Sequence, residues 1–266
     1  MMQTLIPENT LKRKLKAGQP VVGCMVVELR QPSVMQLLAN AGLDFVIIDT
    51  EHGPFGIESI ADLSRAARQV GVTPIVRVPA LQYAYIAPAL DAGAQAIMLP
   101  RVTEVAEVRE CLQIMKYPPT GRRGAVLARA HTMFKGGVLA DALREGNEES
   151  LLVVQIETKA ALDNVEAILG VPGVDIGFVG PTDLSLSLGL PGKIADPTVV
   201  AAMEKVAAVC AKLGVHAAIQ MNDLPSAVAW AGKGFQLLSY SSEISILAKA
   251  AADGVAAIRG GFPVRA

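Results

Sequence analysis

Eight times along the chain a short run of β-branched and apolar residues gives way to a longer Ala- and Leu-rich stretch of helical periodicity, which leaves few architectures open. The predicted strands are 21–29, 44–50, 73–79, 96–101, 151–158, 175–181, 215–221 and 236–241. Between them lie segments such as IESIADLSRAARQVG and PTVVAAMEKVAAVCAKLG, which close on Gly as helices commonly do. Strands that read as near-continuous apolar runs belong to a parallel sheet covered by helices on both faces. Eight βα units in a chain of 266 residues predict an α/β protein, a TIM (β/α)8 barrel forming one domain over residues 1–266. The rival architecture is a doubly wound open sheet. It usually carries a Gly-rich phosphate turn after its first strand, where this chain has GCMVVELRQPS.

Charge is nearly balanced, 24 Lys and Arg against 25 Asp and Glu, so no strong field favours nucleic acid or an anionic membrane, and the expected partner is a small molecule. The longest charge-free stretches, 31–43 and 78–90, are 13 residues each, short of the roughly 20 needed to span a bilayer. The basic LKRKLK near the N-terminus lacks the apolar core and cleavage site of a signal peptide and reads as a short surface helix. Cys24, Cys111 and Cys210 lie far apart with no CxxC pair, which points to packing thiols in a reducing cytoplasm.

Catalytic groups in such a barrel come from the C-terminal ends of several strands. Asp49, Glu51 and His52 follow FVII there, Arg77 lies in PIVRVP, Glu157 closes LLVVQIE, and Asp183 follows IGFVG in GPTDLS. Glu157 and Asp183, on neighbouring strands after apolar runs, can together hold one hard divalent cation through oxygen. The competing reading is that each acid caps the next helix, and TKAALDNV after Glu157 has the pattern of a helix start. His52 suits acid–base work near neutral pH, with Asp49 or Glu51 orienting its ring. His216 opens a strand and belongs to the opposite barrel face. His131 lies in the long connection 116–150, which is expected to cover the active-site mouth. Arg77 is a permanent cation at the end of an apolar strand. It needs an anionic partner, either a barrel carboxylate or the carboxylate or oxyanion of a substrate. Gln155 shares the strand face of Glu157. Arg101, Arg122 and Arg123 are further cations for an acidic substrate tail or for solvent. No Lys lies inside a predicted strand, the nearest being Lys159 in the following helix, so a Schiff-base mechanism is not expected.

In this order, DFVIIDTEHGP, PIVRVP, GAQAIMLPRV, KYPPTGRRG, VQIETKAALDNV and FVGPTDLSLSLG resemble the HpcH/HpaI family of metal-dependent pyruvate aldolases, over about residues 5–258. The resemblance implies a TIM barrel that cleaves 4-hydroxy-2-oxo acids into pyruvate, or a related 2-oxo acid, and an aldehyde, with a divalent ion such as Mg, Mn or Co as cofactor. Position by position it implies metal carboxylates at Glu157 and Asp183, an acid–base histidine at His52 with Asp49 beside it, and a pyruvate-binding arginine at Arg77. Gln155, Pro181 and Thr182 are expected to contact the substrate. A homohexamer is implied as well, with C-terminal helices packed between subunits, which would account for the apolar stretch ISILAKAAADGVAAI. The chain departs from the family pattern in AVLARAHTMFKGG and ALQYAYIAP, where the aldehyde should bind.

The leading expectation is therefore a carbon–carbon lyase working through an enolate. The alternative is a related lyase acting on a malyl-type CoA thioester or a dicarboxylate, for which Arg122 and Arg123 would have to meet the CoA phosphates. A non-catalytic metabolite-binding barrel is a third possibility, set against the complete set of acid, base and cation groups.

Overall fold

All eight apolar runs form strands, and in the computed structural model, which describes residues 4–262, they close a parallel barrel in chain order with β8 paired back onto β1. The strands are β1 (Val21–Val26), β2 (Phe45–Asp49), β3 (Thr73–Arg77), β4 (Ala96–Leu99), β5 (Leu151–Ile156), β6 (Ile176–Val179), β7 (His216–Met221) and β8 (Leu237–Ser242). The helices are α1 (Thr10–Lys16), α2 (Ser33–Asn40), α3 (Ile57–Gln69), α4 (Tyr83–Asp91), α5 (Val105–Met115) and α6 (Leu139–Glu149), then α7 (Lys159–Asp163), α8 (Val165–Leu169), α9 (Pro181–Ser187), α10 (Pro197–Leu213), α11 (Leu224–Ala231) and α12 (Glu243–Gly260). Most strands stop one to three residues before their predicted C-terminal ends, because those residues turn outward into the loops of the mouth.

Side chains alternate across each strand, so one chain of apolar residues builds two cores. Phe45, Ile47, Ile75, Met98, Val153 and Phe178 point inward and fill the barrel. Val46, Ile48, Val76, Ile97, Val154 and Ile219 point outward against the helices. The three thiols belong to the packed interior, where burial pushes each up to about 12, in keeping with inert packing residues.

Two expectations need correction. The basic N-terminal segment is helical, but it is a plug rather than a surface helix: Leu11 and Leu15 are 0% and 2% exposed and belong to the cluster inside the barrel. Asn9 caps α1 by accepting from Lys12 N at 3.1 Å, and its side-chain amide donates to Gln95 O and Glu149 O at 3.0 Å, which ties the plug to the start of β4 and the end of α6. The connection 116–150 does not cover the mouth. Its chain leaves α5 at the N-terminal face and is held there: Lys116 Nζ donates to Ser150 O at 2.7 Å, the Asn147 side chain brackets the backbone of Tyr117, and the Glu145 carboxylate accepts from Leu5 N and Ile6 N at 2.8 and 3.0 Å. Along the flank, Arg68 donates to Ala130 O and His131 O at 2.9 and 3.2 Å.

Candidate active site

The inward positions turn polar at the C-terminal rim. Asp49 ends β2 and Arg77 ends β3, and the strand register sets them side by side. Arg77 Nε donates to Asp49 Oδ1 at 2.9 Å and Nη2 to Oδ2 at 2.6 Å, the two-pronged match of guanidinium and carboxylate, while Nη1 lies 3.3 Å from Glu51 Oε2. Burial alone would weaken the cation, but the hydrogen bond and charge of Asp49, with the charges of Glu51 and Glu157, leave the Arg77 pKa raised. Asp49 Oδ1 also accepts from Glu51 N and His52 N at 3.0 and 3.3 Å, which fixes the turn that carries both. The expectation that Asp49 sits beside the His52 ring is thereby corrected, since its oxygens are committed to Arg77 and to that turn. The imidazole stands at the rim with its side chain 65% exposed, and the nearest carboxylate is Glu51, whose Oε2 is 4.0 Å from Nε2.

Glu157 follows β5 by one residue and does not cap the next helix. Thr158 does so, its hydroxyl accepting from Ala161 N at 3.0 Å. The Glu157 carboxylate is buried and accepts from Arg101 N at 2.7 Å and from the Gln155 side-chain amide. Burial first, then the charges of Asp183 and Glu51, push it up to about 7 against the opposing pull of the Arg101 N–H and Arg77. Arg101 thus contributes its backbone at φ 54, and its guanidinium is exposed. Gly180 lets β6 come this close: a Cβ there would lie 2.7 Å from Glu157 Oε2 and 2.8 Å from Gln155 Nε2. Pro181 then opens α9, and Asp183 sits half-buried in its first turn.

A cavity of about 180 Å³ opens at this mouth. His52, Arg77, Gln155, Pro181, Thr182 and Asp183 form one side, and Ile47, Met98 and Phe178 form part of the floor. Met25, Gln220, Asn222, Ser241 and Ser242 form the other side, which sequence reasoning missed. The signal was present. Ala218 and Gln220, like Ser239 and Ser241, occupy alternate positions of their strands, so the inward face of β7 and β8 turns polar toward its C-terminal end.

Other candidates lie elsewhere. Arg122 pairs with Glu110 and Arg123 Nη2 with Asp91 at 2.5 Å. His131 is buried beside them, its pKa lowered by burial and by Arg123. His216 Nδ1 lies 2.6 Å from Gln236 Oε1 at the N-terminal end of β7, on the barrel face opposite the mouth as expected. Lys159 is on α7, paired with Asp163.

A family model described as HpcH/HpaI aldolase/citrate lyase matches residues 24–246. The chain belongs to this family. It is a carbon–carbon lyase. Among HpcH/HpaI relatives, the hydroxypyruvate/pyruvate aldolase of Sagittula stellata is 35% identical over 246 residues, 92% of this chain and 96% of that protein. The 4-hydroxy-2-oxo-heptane-1,7-dioate aldolase of Escherichia coli is 33% identical over 246 residues, 92% of each chain. The crystal structure of an HpcH/HpaI aldolase from Desulfitobacterium hafniense superposes with a TM-score of 0.91 at 35% identity, covering 96% of this chain and 98% of that one.

Proposed function

We propose that the protein is a divalent-cation-dependent aldolase that reversibly cleaves 4-hydroxy-2-oxo acids into pyruvate, or a related 2-oxo acid, and an aldehyde. The names of its relatives support the substrate class. The observation that carries the cation is the charge imbalance at the mouth. The charges of Asp49, Glu51 and Glu157 act on one guanidinium, Asp183 adds its charge beside Glu157, and the Glu157 carboxyl is pushed up to about 7. Gln155 Oε1 is a buried oxygen without a hydrogen-bond partner, and Glu51 Oε2, also buried, has only the charge of Arg77 Nη1 at 3.3 Å. Such a set of hard oxygen donors suits Mg or Mn. Glu157 and Asp183 would hold the ion as two protein ligands; among the described residues no group of three His, Cys, Asp or Glu converges on one point. When bound, the cation supplies Lewis acidity toward the oxygens of a 2-oxo acid.

The protein's own groups account for the rest of the chemistry. Arg77, held rigid by Asp49 and Glu51, places a fixed positive charge where the enolate oxygen develops. As the C3–C4 bond breaks, its electron pair stays with C3 as the enolate, the C4 hydroxyl carbon becomes the aldehyde, and His52 takes the hydroxyl proton. C3 takes a proton from solvent to give pyruvate while His52 releases to solvent the proton it took, and in synthesis a protonated His52 gives its proton to the new alkoxide as C3 loses one. Gln155, Pro181 and Thr182 bound the 2-oxo acid on the same side. A malyl-type CoA substrate loses its expected phosphate contacts, because Arg122 and Arg123 are paired with acids away from the cavity. The test is pyruvate with an aldehyde panel in Mg or Mn, read as product mass. Adducts that disappear in EDTA, and in Glu157→Ala at any metal concentration, are expected. Undiminished turnover in EDTA, or malyl-CoA as the better substrate, overturns the proposal.

The same reading takes the enzyme to be a cytoplasmic homo-oligomer, a hexamer by family resemblance. No helix among the described residues is long and apolar enough to cross a membrane. Helix α12 is anchored at its first residue, where Glu243 accepts from the backbone N–H groups of Val27, Glu28 and Leu29, yet Leu247 and Ile258 are 60% and 66% exposed. That uncovered apolar stripe supports subunit contact, which light scattering on the eluted protein would read as mass.

A further inference from the structure

We propose that Gln220 selects the aldehyde, its side-chain oxygen accepting a hydrogen bond from a hydroxyl of a neutral hydroxyaldehyde of the glycolaldehyde kind. The inference rests on the aldolase reading above and concerns the side of the cavity which that reading leaves unused. This side is built by β7, β8 and β1 and presents Met25, Gln220, Asn222, Ser241 and Ser242, with no charged group. Gln220 follows Ala218 on the inward face of β7. Its Nε2 donates to Asn222 Oδ1 and to Ser241 O, both at 3.1 Å, so both amide hydrogens are used. Ser241 carries that carbonyl at φ 56, a left-handed conformation that a serine rarely adopts. The Ser241 carbonyl, which can only accept, sets the orientation of the amide, because a flip would bring oxygen against oxygen there. Oε1 is buried and has no partner.

A locked acceptor with no donor discriminates by chemistry. A hydroxyl satisfies it. An alkyl group covers it and leaves it unsatisfied, and a carboxylate adds a second acceptor. The cation lining this cavity, Arg77, stands on the opposite side with Asp49 and Glu51 on it. An acidic semialdehyde thus meets no free positive charge on the Gln220 side, and the order of preference is hydroxyaldehyde, then alkyl aldehyde, then semialdehyde acid.

The experiment measures kcat/KM for glycolaldehyde, propanal and succinic semialdehyde at saturating pyruvate and Mg, in wild type and in Gln220→Leu. The glycolaldehyde-to-propanal ratio should fall at least about tenfold in the variant. Intrinsic aldehyde reactivity and any loss of folded enzyme cancel, because the ratio is taken within one preparation and then compared between two. If the leucine variant does not fold, Gln220→Met, closer in shape, gives the same readout. An unchanged ratio, or a wild-type preference for succinic semialdehyde, overturns the assignment. Deuterium exchange at C3 of pyruvate, which needs no aldehyde, keeps the two levels apart. Exchange without the ratio change removes the role of Gln220 alone, whereas no exchange and no adduct with any aldehyde overturns the aldolase reading and this proposal with it.

Discussion

At Gly180 the geometry leaves no room for a methyl group, since a Cβ would press on both Glu157 Oε2 and Gln155 Nε2 at under 3 Å. One of those atoms belongs to the carboxylate proposed to hold the ion and the other donates to it, so Gly180→Ala should weaken Mn binding at least about tenfold in a calorimetric titration while leaving the circular dichroism spectrum in place. Unaltered affinity would mean that the Glu157 side chain can yield. Arg77 makes a different kind of demand. Its guanidinium is buried, and Asp49 takes two of its hydrogen bonds. Asp49→Ala should cost about 3–5 kcal/mol in urea unfolding, because it strands a buried cation, and Asp49→Ala combined with Arg77→Met should recover part of the loss. A single-variant loss below about 1 kcal/mol would show that Glu51, already 3.3 Å away, takes over. Whereas Asp183 lies beyond β6 in the first turn of α9, the sequence placed Arg77, Asp49 and Glu157 at strand ends because a strand end is a local pattern. It left the partner of Arg77 open because pairing depends on the register between β2 and β3, which neither strand encodes alone.

Helix α1 shows how an element can be recognised and still misplaced. Its lysines and arginine dominate the reading of LKRKLK, but Leu11 and Leu15 are four residues apart, share one helix face and enter the barrel. Leu11→Ala should therefore cost about 2–5 kcal/mol of stability with kcat/KM per folded enzyme intact, while Leu37→Ala on the exposed face of α2, 67% accessible, should cost little. Equal midpoints for the two variants in denaturant would contradict the plug. The eight βα units were legible for the opposite reason: a parallel strand buried on both faces is apolar throughout and stands out without tertiary information. The connection 116–150 was not legible in this way. Its anchors, Lys116 to Ser150 and Glu145 to Leu5 and Ile6, join residues 34 and about 140 positions apart. Length alone cannot say which face such a segment covers. The Gln220 side of the cavity escaped notice because Gln, Asn and Ser at strand ends look like ordinary turn residues until a barrel closes and turns them inward.

For the molecule as a whole, the carboxyl at the mouth ties stability to pH in a direction opposite to most acids. Burial and its acidic neighbours push Glu157 up to about 7 from 4.5, so between those values the folded protein binds a proton that the unfolded chain has released. Stability linked to this group is fully present below about pH 4.5 and is lost as pH rises through 7. Its size is on the order of 3 kcal/mol at most. In EDTA, Glu157→Gln should therefore gain on the wild type as pH climbs from 5 to 8, measured as the difference in unfolding free energy at each pH. Lys116, lowered to about 8 by burial, and Asp175, raised by burial, titrate in both proteins and cancel in that difference. Any offset from repacking the amide shifts the difference without giving it a slope. A divalent ion should reverse the outcome at pH 8: it neutralises the same carboxylate, raises the wild-type midpoint with increasing concentration, and leaves the Gln variant where it was. Parallel pH profiles in EDTA would show that Glu157 titrates as an ordinary surface acid, and equal stabilisation of both proteins by Mn would place the ion elsewhere.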